Sequence, residues 1–260
     1  NEDGTLNMNE YKSLLNPNVK FVFVNHVSNT LGTINPIEKI IELAHNNNSQ
    51  VLIDGAQGAA HMKINLTELD VDFYVASAHK LCGPTGVGFL YGKSELLDRL
   101  PPYQGGGEMI SSVTFEKTEY AELPHKFEAG TPNIAGVIAF GAAIDYMNSI
   151  GFENIESHEK ELLEYATEKL KEIEGIKIYG NSNKKISVIS FNVGDHHPSD
   201  IGSILDQYGI AVRTGQHCTQ PIMDHFQIPG TVRASFSFYN TKSEIDLLIE
   251  ALKKASKMLA

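Results

Sequence analysis

The feature that most constrains the fold is an alternation of short β-branched runs with amphipathic stretches of helix length. Residues 19–24 form a β-branched and aromatic run, consistent with a strand buried on both faces. Asn35 then offers an N-cap, Pro36 takes the first helical position, and Ile37, Ile40, Ile41 and Ala44 make one apolar helix face. The polar stretch 46–49 closes that helix, and residues 51–54 read as the next strand. Residues 72–76 and 87–91 are further strands. Strands joined by connections of helix length pair in parallel, so the expected class is α/β with a mainly parallel sheet.

From 101 to 127 the rhythm fails, and Gly105, Gly106 and Gly107 mark a long loop or hairpin. Helices resume at 133–149 and 153–174, the second stopped by Gly175. Residues 176–179 and 186–193 are strand-like, 198–208 helical, and 210–213 and 231–238 strand-like again. The last helix opens with a capping box, Thr241 to Glu244, and carries apolar Ile245, Leu248, Ile249, Leu252 and Met258. The apolar faces of the long helices and the aromatic residues of 236–239 read as core. At roughly 100–200 residues per domain, the chain holds one large or two modest domains. The boundary is placed near residue 150, within a helical connection.

Composition removes several classes of function. A formal charge of −11 excludes a general phosphate-backbone binder, which needs a surplus of Lys and Arg on one surface. Two cysteines, Cys82 and Cys218, are too few for a disulfide scaffold and fit a reducing compartment. The start, Asn1-Glu2-Asp3-Gly4, is the reverse of a signal-peptide opening. The apolar run 135–144 falls short of the ~20 residues a membrane helix needs. The expectation is a soluble, cytoplasmic protein with no nucleic-acid or membrane partner.

Two clusters carry chemistry. Asp54 ends a predicted strand and is followed by Gly55-Ala56-Gln57-Gly58, so its carboxylate emerges where parallel sheets bind ligands. The alternative is a turn Asp capping the next segment. Ser77-Ala78-His79-Lys80 follows the next strand and emerges on the same edge, with no acidic neighbour beside Lys80. Partial desolvation makes such a lysine a Schiff-base nucleophile and proton carrier; a solvated surface lysine is the bland alternative. Together these residues resemble a pyridoxal phosphate site, with Lys80 for the imine and Asp54 for the pyridinium nitrogen. In the second cluster, Arg213-Thr214-Gly215-Gln216-His217-Cys218 places a thiol near a cation and an imidazole, which favours the nucleophilic thiolate. Cys82 is the better candidate for a buried structural cysteine. Arg233 lies in a strand-like run and needs an anion, either a substrate carboxylate or a structural Asp or Glu. The cysteine and histidine spacings do not suit zinc, and His196-His197 reads as a solvated loop.

The motifs at 54–57, 77–86, 128–133, 213–218 and 233–235 resemble the class V aminotransferase family, and within it the SufS-type cysteine desulfurases and selenocysteine lyases. The resemblance implies fold type I of the pyridoxal-phosphate enzymes. On that basis residues 1–150 are the C-terminal part of a cofactor-binding large domain with an incomplete sheet. Residues 151–260 are a smaller α+β domain. Lys80 would carry pyridoxal 5′-phosphate and move the substrate Cα proton. Asp54 would pair with the pyridinium nitrogen, Gln57 with the ring oxygen, and Ser77 and His79 with the phosphate. Thr131 would reach the phosphate held by the other subunit of a homodimer. Arg233, helped by Asn29, would hold the carboxylate of L-cysteine, and Arg213 would line the same pocket. Cys218 would take the sulfur as a persulfide, release alanine, and pass sulfur to a SufE- or SufU-like acceptor for iron–sulfur cluster assembly.

Chains of this family begin well upstream of Asn1, so the expectation is the larger C-terminal portion of such an enzyme. Its sheet would then expose strand edges and apolar surface. Two other readings stand beside it: selenocysteine lysis or another class V reaction such as transamination, and a non-catalytic fragment retaining only dimer or acceptor-docking surfaces.

Overall fold

Short runs of β-branched and aromatic residues become strands wherever a helix face packs across them. A computed structural model describes residues 1–259. After helix α1 (Met8–Leu14), capped by the Asn7 side chain, the chain builds a first sheet. Strands β1 (Phe21–Asn25), β2 (Gln50–Asp54), β3 (Phe73–Ser77) and β4 (Gly88–Gly92) lie in that order. The β1–β2 and β2–β3 pairs are parallel, and β3–β4 is antiparallel. Helix α2 (Ile37–Asn46) makes the first crossover, and its stripe Ile37, Ile41 and Ala44 is buried with Val51, Ile53 and Tyr74. Three one-turn helices, α3 (Gly58–His61), α4 (Leu66–Leu69) and α5 (Ser94–Leu97), complete the connections.

Two expectations change here. Strand β1 is not buried on both faces: Phe21 and Phe23 are exposed and stack on each other at 5.6 Å, because β1 is the edge of the sheet. Asn35 does not cap α2. Its side-chain amide donates instead to the Asn25 carbonyl at 2.8 Å, leaving Pro36 at the cap position without a side-chain hydrogen bond.

The segment 101–127 holds a small exposed hairpin, β5 (Ile110–Val113) with β6 (Thr118–Tyr120). Asn133 then caps α6 (Ile134–Ile150) by accepting from the Gly136 amide, and α7 (Phe152–Lys171) follows after a bend of 72°. Only Gly136, Phe140, Ala143 and Met147 of α6 are buried. That narrow stripe leaves Ile134, Val137 and Ile138 exposed, so the apolar run is not all core. No single helix among the described residues is long and apolar enough to cross a membrane; only α6 and α7 taken together reach that length and composition.

The second sheet runs β7 (Ile176–Tyr179), β8 (Val188–Val193), β10 (Thr231–Ser235) and β9 (Arg213–Gly215), all antiparallel. Helices α8 (Pro198–Gln207), α9 (Gln220–Phe226) and α10 (Lys242–Leu259) accompany it. Its core joins Leu162, Ala166 and Leu170 of α7 with Phe191, Ile201, Val232, Ile245 and Leu252. The Thr241–Glu244 capping box forms, with the Thr241 amide donating to Glu244 at 2.7 Å. Strand β9 starts at Arg213 rather than at 210, because the Ile210 amide is used in closing α8 on the Leu205 carbonyl. Met258 is exposed and Leu259 packs instead, since the α10 stripe advances from Leu252 through Ala255 to 259. Tyr239 is also exposed, although Phe236 is core.

The two sheets meet at a buried carboxylate. Glu159 of α7 accepts from His61 at 2.7 Å, Ser187 at 3.1 Å and Ser237 at 3.2 Å.

Candidate active site

The carboxyl ends of β1, β2 and β3 align, with Asn25 opposite Asp54 and Asp54 opposite Val75. The turns that follow therefore open on one edge of the sheet. Asp54 leaves its carboxylate exposed, and one oxygen accepts from the Ala56 amide at 2.9 Å. Gln57 is half-buried at the start of α3. Beneath this turn lie two residues that sequence reasoning missed. The Tyr74 hydroxyl is 3.2 Å from His26 Nδ1, and the His26 amide donates to the Asp54 carbonyl at 2.8 Å. A Cβ on Gly55 would stand 1.9 Å from the Tyr74 ring, and one on Gly58 would stand 2.5 Å from His26 Nδ1. The small residues of the motif thus make room for this pair. Burial and the nearby Asp54 charge push the Tyr74 phenol above its ordinary range, and burial pushes the His26 imidazolium down. A signal was present: a tyrosine inside an apolar strand needs a partner for its hydroxyl.

Ser77 ends β3 half-buried, and a single 3₁₀ turn, Ala78–Lys80, carries His79 and Lys80 into solvent. The turn is closed by the Leu81 and Gly83 amides, both on the Ala78 carbonyl. No carboxylate among the described residues pairs with Lys80. Cys82 is not the buried structural cysteine expected: it is exposed and free, at a backbone position with a positive φ of 58°.

The second cluster forms on β9 and β10. Arg213 and Arg233 lie directly opposite each other on adjacent strands. Like charges in that position repel, and burial together with Arg213 lowers the Arg233 pKa while Cys218 opposes the shift. Arg233 donates from one terminal nitrogen to the Asn29 carbonyl at 2.8 Å, and its Nε is buried without a partner. Among the described residues no Asp or Glu pairs with it. Of the two answers open for this arginine, a structural carboxylate is therefore absent from its surroundings. Cys218 is exposed and free in the turn after β9. Asn29 is already engaged on the protein, donating to the His217 carbonyl at 2.8 Å and keeping a second N–H.

The loop after β1 joins the clusters. His26 supports the Asp54 turn and Asn29 supports Arg233 and His217, and the three-residue step from one to the other spans at most about 11 Å. Thr131 is exposed after Gly130, whose amide bonds to Gly107, and no hydrogen bond among the described residues joins it to Lys80. No cluster of metal-ligating side chains occurs among the described residues.

Residues 1–248 match the family described as Aminotransferase class-V. The chain belongs to that family. This class V chain is 48% identical over 260 residues to a cysteine desulfurase of Cronobacter sakazakii, covering all of this chain and 64% of that protein. Among solved structures it is similar to the cysteine desulfurase CsdA from Escherichia coli, with TM-score 0.94 and 38% identity, covering 98% of this chain and 63% of that one. It is equally similar to the apo cysteine desulfurase from Thermococcus onnurineus, with TM-score 0.95 and 38% identity over 99% of this chain and 65% of that one. The class V chain thus spans a little under two thirds of the length of the relatives it matches, with their α/β fold.

Proposed function

We propose that this chain is the larger part of a pyridoxal-phosphate-dependent cysteine desulfurase of the SufS type. It converts L-cysteine to L-alanine and hands the sulfur, through a persulfide, to a SufE- or SufU-like acceptor for iron–sulfur cluster assembly. The reading includes a homodimer and, given two free thiols, a reducing cytoplasmic compartment. It also includes a division at residue 150 between a cofactor-binding part, 1–150, and a smaller α+β domain, 151–260.

The observation that carries it is a carboxylate-free arginine pair, Arg213 and Arg233, beside the free thiol of Cys218. That juxtaposition suits an amino acid with a carboxylate at one end and a sulfur to give up. The residues at the neighbouring sheet edge fit pyridoxal phosphate: an exposed amine at Lys80 with no carboxylate partner, an exposed carboxylate at Asp54, and a hydroxyl and an imidazole at Ser77 and His79. Bound there, the cofactor supplies an electron sink for the substrate Cα. Lys80 would hold it and move the Cα proton, Asp54 would pair with the pyridinium nitrogen, and Gln57 with the ring oxygen. Ser77 and His79 would hold the phosphate, with Thr131 of the second subunit. Arg233 and Asn29 bind the substrate carboxylate, and Arg213 closes that side. Cys218 sulfur forms an S–S bond as the substrate Cβ–S bond breaks; the electron pair of the broken bond stays with carbon, which takes up protons to become alanine.

Incubation of the protein with pyridoxal phosphate is expected to give a visible absorbance band that borohydride fixes as added mass on the Lys80 peptide. Cysteine is then expected to yield alanine, and sulfide under a reductant. Cys218→Ala removes the sulfide. Sulfide release at the unaltered rate from that variant would refute the persulfide role.

A further inference from the structure

The turn that carries Cys218 is held in a conformation its residues do not favour. His217 and Cys218 have φ of +54° and +61°, so two successive residues with side chains occupy the left-handed region. Contacts from outside the turn oppose that strain. The Asn29 amide donates to the His217 carbonyl at 2.8 Å. The hydroxyls of Thr30 and Thr219 are 2.7 Å apart. His217 Nε2 lies 2.8 Å from the Thr231 hydroxyl and 3.2 Å from the Thr231 carbonyl.

A carbonyl can only accept, so Nε2 carries the proton and donates to Thr231. Nδ1 is then a bare acceptor, buried without a partner. The His217 ring is 3% exposed, and burial with the charges of Arg233 and Arg213 pushes its pKa down to about 4. That downward shift favours the neutral ring, and its one N–H is committed to Thr231. It is an anchor and not a proton carrier.

We propose that His217 is a positioning residue: its buried ring, fixed on Thr231 and aided by the Thr30–Thr219 contact, clamps the left-handed turn that sets Cys218 beside Arg233. This inference rests on the sulfur-accepting role proposed for Cys218. It assigns to Thr30, Thr219, Thr231 and His217 a task that none performs by touching substrate. The clamp also explains why a threonine–histidine pair is buried where apolar residues would pack without orphaning Nδ1.

The test follows iodoacetamide modification of each cysteine, resolved by peptide mass, with Cys82 as internal standard. His217→Ala is expected to change modification of Cys218 by about threefold or more while Cys82 is unchanged, because the thiol leaves the position that the clamped turn fixes. The same variant is expected to lower kcat for sulfide release about tenfold with KM for cysteine nearly constant. His217→Gln, whose amide can donate to the same oxygens, is expected to restore most of both. An unchanged ratio of Cys218 to Cys82 modification in folded His217→Ala overturns the proposal, as does an equal change at both cysteines. If His217→Ala does not fold, Thr219→Ala at its half-buried position decides by the same ratio. If the unaltered protein releases no sulfide, the functional reading fails, and the modification ratio still decides the clamp.

Discussion

The two sheets of this molecule are finished to different degrees. The β7-β8-β10-β9 sheet is backed by α7, α8 and α10, and its core residues Phe191, Val232, Ile245 and Leu252 are fully buried. The β1-β2-β3-β4 sheet packs well around α2 but stays bare at its margins. Phe23 is 69% exposed, Leu90 50%, and Ile138 of α6 69%. Apolar residues exposed together on strand edges and one helix are the mark of a surface meant to be covered. The difference teaches where stability resides: the second sheet closes its own core, whereas the first, which carries Asp54 and Lys80, leaves apolar residues in water. The proposed site draws on both halves, since Asn29 comes from one and Arg233 and Cys218 from the other.

The largest expected effect comes from removing one of the buried contacts that join the halves. Glu159→Ala leaves His61, Ser187 and Ser237 without their shared acceptor. A loss of about 3–5 kcal/mol is expected. Urea unfolding of this variant, followed by far-ultraviolet circular dichroism, should separate into two transitions, the weaker one belonging to the first sheet. A single unshifted transition would show that the halves are not coupled through this carboxylate.

Next in size is the contrast between the cores. Leu252→Ala, at a fully buried position in the closed core, should cost about 3 kcal/mol. Phe23→Ser, on the bare strand, should change stability by less than about 0.5 kcal/mol and raise solubility. Equal costs would erase the distinction drawn between the sheets.

The smallest effect concerns pH. Burial lowers the Lys185 pKa from 10.5 to about 8, with only the Gly180 carbonyl accepting from its ammonium. The folded state thus resists protonation there. Below pH 8 both folded and unfolded chains carry the proton, and the buried charge destabilises the fold. Between about 8 and 10.5 the unfolded chain binds more protons than the folded one, so stability rises with pH. Lys185→Met is expected to raise stability at pH 7 by at most on the order of 3 kcal/mol and to flatten that rise. An identical slope in wild type and variant would assign the alkaline gain to other groups.

Local chemistry was legible in the sequence, and choices between competing partners were not. The Thr241–Glu244 capping box and the end of β2 depend on neighbours a few residues away, and they form where the residues place them, while β3 runs one residue further, to Ser77. Asn35 had two possible partners and took the Asn25 carbonyl ten residues back, a contact visible only once β1 is in place. Apolar neighbours suggest burial for Cys82, but the residue lies exposed in a left-handed turn. The Asp54 and Lys80 turns were readable because each follows a strand end. The supports behind them, His26 under Asp54 and Thr231 behind His217, come from distant strands, and no spacing announces them.

Gly55 and Tyr74 share one small volume, and that sharing reaches beyond this molecule. Any side chain at 55 would overlap the tyrosine ring, so the two positions form a lock in sequence space. A side chain at 55 would therefore have to be accompanied by a displaced or smaller residue at 74, so the two positions are expected to change together.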